Sequence, residues 1–593
     1  MGPFWFRGVA ALGVAATLAA ADFFPLDRLR PGMKGVGRTV FAGDKIEEFE
    51  VEILGVLENI GPRQSIVLGR LAGGPLAKTG VMAGMSGSPV YIEGKLAGAV
   101  ALAFPFATEP IAGIRPIAEM VEAFEQRHEP PPPAQRASLA GQRWMAPAGE
   151  SLLPPILAAV SSSKLAPIAT PVHFAGFTAR TLEVFGSSLR QLGLQPMQGA
   201  GGASAAASPA MGDPSALQPG SPISVALVRG DLNVNADGTV THIDGPRVYA
   251  FGHRFLSSGP AEMPFMRASV VALLPNLATS FKISIAHELM GTIRQDRATG
   301  IYGELGMRPR LIPIDIQVYS SRSGNHRYRL EVINDRFLTP FLLQLAVFSA
   351  LDATERGLGP STFQVRGAIR LGGALPAVEL DNVYTGEAST AILAALGAAQ
   401  PLAALMQSGF SDVKVEGIGL ELASVDSRRQ LRLERAWASR RHIHPGDTIE
   451  LAAALRGEGG QEIIRRLSYQ APFGTPAGAL QVTFADGASA NLADLRGLAG
   501  REPASGAQLV RAINLSRRNS RLYVRVWRPD RGFQLQSEQL PSPPASLRGV
   551  LAAGPSTTGA ITNTWSALLA EMEIDAAPLA VLGSETIRVT VKE

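Results

Sequence analysis

Glycine and proline interrupt this chain at 63 and 43 of its 593 positions, which disfavours a protein of long helices and favours short strands joined by turns. That length exceeds what one hydrophobic core serves, so three or more domains are expected. Apolar residues make up 46% and charged residues 18%, enough apolar surface to bury several cores and to confine disorder to local stretches.

Strand patterning is clearest from Glu47 to Ile53, where Glu48, Glu50 and Glu52 alternate with Phe49, Val51 and Ile53, the period of a strand with one buried face. Val90 to Val100 reads as two short strands around Glu93-Gly94-Lys95, followed by a helix opened by Pro116 with Ile117, Met120, Val121 and Phe124 on one face. Pro130 to Pro133 form a stiff spacer, and Gly199 to Pro219, rich in small residues and proline, reads as a flexible linker. Between them a strand near Val172 to Phe177 and a helix from about Ala179 to Leu192 make a small unit.

After Pro222 the pattern is β-rich again. Asp237-Gly238 and Asp244-Gly245 read as turn dipeptides bracketing Thr239 to Ile243, with Arg247 to Phe251 as the returning strand, so His253 falls in a loop just past a strand end. Thr339 and Pro340 open an apolar helix to about Leu351, and Ala388 to Met406 reads as helical with a break at Pro401. The expected segments are a signal peptide at 1–21, a Ser86-bearing barrel segment at 22–128, the spacer, small α/β unit and linker at 129–220, a His253-bearing barrel segment at 221–320, a mixed α/β region at 321–438, and β-rich, sandwich-like modules at 439–593.

Several functions are disfavoured. With 55 basic against 51 acidic residues and no dense basic block, nothing tracks a phosphate backbone, and no nucleic-acid partner is expected. The absence of cysteine excludes disulfides, thiol nucleophiles and thiolate metal sites together. His442 and His444 lack a nearby ligand set, and no phosphate-cradling loop occurs, so no metal or cofactor is expected. Arg7, the apolar run Gly8 to Ala20 and the small residues Ala19-Ala20-Ala21 have the form of a secretory signal, giving an exported chain, periplasmic or extracellular, with no membrane span after cleavage; an uncleaved signal would instead serve as an anchor.

The chemistry concentrates at Gly84-Met85-Ser86-Gly87-Ser88-Pro89. A serine becomes nucleophilic when a base takes its proton and backbone donors wait for the oxyanion, and glycines on either side permit the tight turn that aims the Gly84 and Ser86 amides into one hole. Ser88 is the rival nucleophile, though Pro89 suits a loop exit better. His253 is the natural base, since an imidazole titrates near neutrality.

The run Thr79 to Val90, followed by Gly94 to Val100, resembles the nucleophile region of the sporulation stage IV protein B serine peptidases, which are similar to the chymotrypsin-like clan. Phe251-Gly252-His253 resembles that family's histidine motif, and Gly291 to Asp296 with Gly300 to Gly303 resembles the segment after it. The resemblance implies a chymotrypsin-like pair of β-barrels, an acyl-enzyme mechanism and a protein or peptide substrate. In the family the histidine segment comes first, whereas here Ser86 precedes His253, so a permuted arrangement is expected. No acid stands just upstream of Ser86 at Leu71-Ala72-Gly73-Gly74, and Asp296 is the expected third member, with Asp244 and Glu262 in reserve. The reading from another class is an exported scaffold that keeps this fold without turnover.

Overall fold

The computed structural model describes residues 23–593 apart from 105–106, 126–165, 200–209, 278, 355–357, 498–502, 504, 536–537, 541–543 and 554–560. The expected signal peptide, the Pro130 to Pro133 spacer and the first half of the linker lie outside the described residues.

The architecture is mainly β, as expected, and begins with a closed antiparallel barrel of six strands. These are β1 (Lys34–Val40), β2 (Ile46–Gly61), β3 (Gln64–Ala72), β4 (Pro89–Ile92), β5 (Lys95–Ala103) and β6 (Ile111–Pro116), joined in the ring β1-β2-β3-β6-β5-β4. The alternation read in β2 is the reason it can line a barrel: Phe49, Val51 and Ile53 are buried and pack with Val67, Leu71, Val90 and Ile114. Glu93 and Gly94 both have positive φ, 51° and 77°, which fits a tight two-residue turn between β4 and β5.

A second ring of six follows: β7 (Pro222–Gly230), β8 (Asn233–Asp244), β9 (Arg247–Ala250), β10 (Gly259–Leu274), β11 (Phe281–Arg297) and β12 (Gly300–Leu305). It closes in the order β7-β10-β11-β12-β9-β8, again entirely antiparallel. The strand Thr170–Ala175 docks on β8, and the end of β7 pairs with Gly324–Ile333, so this barrel continues into a larger sheet. The two rings are a chymotrypsin-like pair with the serine-bearing barrel first in the chain.

One sequence expectation fails in β8. Asp237-Gly238 is no turn: the strand runs through both, and Asp237 is buried. Glycine is needed at 238 because a Cβ there would stand 2.2 Å from the Phe251 ring, so the residue marks a close approach and not a reversal. Asp244-Gly245 does turn, with φ +56° at Gly245.

The helices Leu338–Thr354 and Thr390–Gln407 pack on each other and on the extended sheet. The second passes through Pro401 without the expected break. The hydrogen bond lost at a proline is offset by burial of Ala398, Leu402 and Leu405 in the core. This helix is long and apolar enough to cross a membrane by length and composition, and 56% of it is buried, chiefly in that core. The last residues form a four-stranded and a six-stranded sheet around a core of their own, with Leu451, Val482, Phe484, Val524 and Val589.

Candidate active site

Ser86 lies in the turn between the short helix Leu76–Thr79 and β4, and the second barrel grips that turn along its length. The Thr239 amide donates to the Ser86 carbonyl at 2.9 Å, the Thr239 hydroxyl to the Gly84 carbonyl at 2.9 Å, and the Thr241 hydroxyl to the Gly87 carbonyl at 2.7 Å. On the other side the Ala83 amide donates to Ser280 O and the Lys282 amide to Ala83 O, while the Ser280 hydroxyl donates to Thr79 O. Gly87, at φ +95°, sits so close to β8 and to the histidine segment that a Cβ would fall 2.0 Å from Thr239 O and 2.6 Å from Phe251 N.

The same contacts bring the histidine segment to the seam. Phe251 and Gly252 both have φ of +70°, a conformation that costs a bulky aromatic residue energy and is kept where the surroundings over-determine it. Those two residues turn the chain out of β9 so that Gly252 meets Ala99 and Ala101 of β5. His253 follows, 3% exposed.

Ser86 Oγ and His253 Nε2 are both buried without a hydrogen-bond partner, so no hydrogen bond joins them in this structure; Arg115 Nε, both His173 ring nitrogens and Asp237 Oδ2 are buried and unpartnered as well. The other imidazole nitrogen, Nδ1, lies 2.7 Å from the Arg254 carbonyl. A carbonyl only accepts, so Nδ1 carries the proton and Nε2 presents its lone pair, the tautomer a general base requires. Burial pushes the imidazole pKa down to about 4, a shift that the Arg254 carbonyl opposes and that the positive charges of Arg115 and Arg254 reinforce. His253 is therefore neutral at neutral pH. Among the described residues the amides of Gly84 and Ser86 also make no hydrogen bond, whereas those of Met85, Gly87 and Ser88 do.

Asp296 is placed differently from the expectation. It is buried, but its carboxylate accepts from the amides of Phe255, Leu256 and Ser258 at 2.9, 2.6 and 3.1 Å and from the Ser258 hydroxyl, with no bond to the imidazole. Burial raises its pKa, and the four donors act against that rise. It fixes the loop that follows His253; the orienting contact to the ring comes from the Arg254 backbone, which residue types alone do not reveal. The reserve acids are engaged elsewhere: Asp244 is exposed in its turn, and Glu262 accepts from the Arg310 amide.

A second set of polar side chains lies buried behind the Ser86 turn. Ser88 Oγ and Lys282 Nζ both reach Thr39 Oγ1, at 3.1 and 2.8 Å. Asp237 accepts from the Ser224 hydroxyl at 2.6 Å and lies 2.9 Å from His173 Nε2, close enough to pair as ions but off the angle for a hydrogen bond. Burial opposes charge on His173, and the Asp237 carboxylate outweighs it, so the pKa is raised. Sequence reading missed this set because its members are scattered over the chain and Asp237 is disguised as a turn residue. Among the described residues no cluster of metal-ligating side chains occurs.

Residues 30–119 match the model of the family described as SpoIVB peptidase S55. The match covers the Ser86-bearing barrel and ends before the His253-bearing one; at family level it supports a serine peptidase. No curated protein and no solved structure matches the chain.

Proposed function

We propose that the chain is an exported serine endopeptidase acting through an acyl-enzyme, with Ser86 as nucleophile and His253 as base. The observation that carries this reading is the pair of buried, unpartnered atoms, Ser86 Oγ and His253 Nε2, at one seam beside two amides with no hydrogen bond. Buried polar atoms without partners are costly and cluster where function requires them.

In this reading Nε2 takes the Ser86 proton as Oγ attacks the scissile carbonyl, the Gly84 and Ser86 amides receive the oxyanion, and the imidazolium passes its proton to the leaving amine. Water then repeats the sequence on the acyl-enzyme. The Arg254 carbonyl takes the place of the usual carboxylate in holding the tautomer. Export rests on the Arg7 to Ala21 pattern, and sequencing of the mature N-terminus checks it.

A fluorophosphonate probe tests the nucleophile: it labels the wild type, Ser86→Ala abolishes labelling, and Ser88→Ala leaves part of it. Labelling that survives Ser86→Ala refutes the assignment. One observation favours the second reading, an exported scaffold without turnover: Ser86 is 0% exposed, so a substrate reaches it only if the seam opens. A wild type that stays unlabelled with and without peptide substrates supports that reading.

A further inference from the structure

The buried lysine behind the nucleophile turn has no part in the mechanism above. Lys282 is 2% exposed, at the start of β11. Its stem runs beneath Gly84, where a Cβ would stand 3.2 to 3.3 Å from Lys282 Cδ, Cβ and Cγ. Its amine ends on Thr39 Oγ1, which also receives the Ser88 hydroxyl. The turn thus meets one side chain of the other barrel twice, at Gly84 by contact and at Ser88 by hydrogen bonds through β1.

We propose that Lys282 is a positioning residue for Ser86: by holding Gly84 and Ser88 it fixes both ends of the turn that aims the nucleophile and the oxyanion amides. The proposal rests on Ser86 being the nucleophile. A purely structural role suits a lysine poorly, because an apolar residue of the same length would fill the space without the cost of desolvating an amine. The charged and polar groups facing the amine are Thr39 on β1, Ser88 on the turn, Asp237 on β8 and, beyond it, His173 on Thr170–Ala175. Burial lowers the Lys282 pKa to about 7 against the pull of Asp237, so the amine changes charge near neutrality.

The test compares fluorophosphonate labelling rates of the full-length protein across the neutral pH range with hydrogen exchange of the peptide spanning residues 82–88. Lys282→Met keeps the stem and removes the amine. It is expected to label roughly tenfold to a hundredfold more slowly, as a small misplacement of reacting groups does, while its melting temperature stays level or rises because a buried charge is gone. Thr39→Val gives a similar loss and the double variant falls no further, since both break one linkage. Wild-type labelling declines as pH rises through about 7, where the amine loses the charge that strengthens its hydrogen bond to Thr39, and Lys282→Met lacks that decline.

Wild-type labelling rates in Lys282→Met, with the decline retained, overturn the proposal. If the wild type does not label, or Ser86→Ala labels normally, the nucleophile reading falls instead, and exchange decides the anchoring alone. Faster exchange in 82–88 without change in β2 sustains it, and unchanged protection overturns it.

Discussion

His253 carries the most direct acid–base consequence at the scale of single residues. Its folded pKa near 4 lies below the ordinary 6.5, so between those values the folded chain binds fewer protons than the unfolded one. Stability from this group is complete above pH 6.5 and falls as pH drops toward 4, by about 2 kcal/mol at pH 5. The matching measurement is a carbon-13 histidine NMR titration, in which the His253 ring is expected to inflect near 4; an inflection at 6.5 would mean the ring is solvated. The imidazole therefore also stays neutral in mildly acidic solution. Ser86 was legible in the sequence because the whole run Thr79 to Val90 resembles a family's nucleophile region; the glycine-serine turn by itself is common. Asp237 was not, since an Asp-Gly pair reads as a turn until the Phe251 ring is seen against Gly238.

At the scale of elements, Asp296 controls the loop after His253. Its Oδ2 accepts three donors, from Leu256, Ser258 and the Ser258 hydroxyl, and Oδ1 accepts the Phe255 amide. In Asp296→Asn an NH2 group must face donors on one side, which leaves buried amides unpaired at about 1–3 kcal/mol each. The variant is expected to lose stability and protection of residues 255–258 together with labelling. A true orienting acid would instead lose turnover in a fold of unchanged stability, so calorimetry separates the two roles. The elements themselves were largely readable, β2 from its alternation and the β4–β5 turn from Glu93-Gly94. The helix through Pro401 was misread because propensity is local, and the core around Leu402 and Leu405 is assembled from distant strands.

Across the whole molecule, the proposed site lies where two barrels meet. Thr239 and Thr241 donate hydroxyls from the second barrel to carbonyls of the first, and valine at both positions keeps the volume while leaving the Gly84 and Gly87 carbonyls buried and unpaired. The double variant is expected to lower the stability of the barrel pair by about 2 kcal/mol or more and to slow labelling. The melting of the C-terminal sheets, which have a separate core, should stay put; scanning calorimetry checks both. The family resemblance, and not strand patterning, pointed to two barrels and to the inverted order of their motifs; the seam was not legible, because its contacts join residues far apart in the chain.

That inverted order has a temporal side. During synthesis the Ser86-bearing barrel is complete once β6 has emerged, whereas His253 and the threonines that grip its turn arrive only later, and the second ring cannot close before β12. On the proposed mechanism, a nascent or prematurely terminated chain would carry Ser86 without His253 to activate it, so the order of the two halves itself would keep an unfinished molecule from attacking its neighbours.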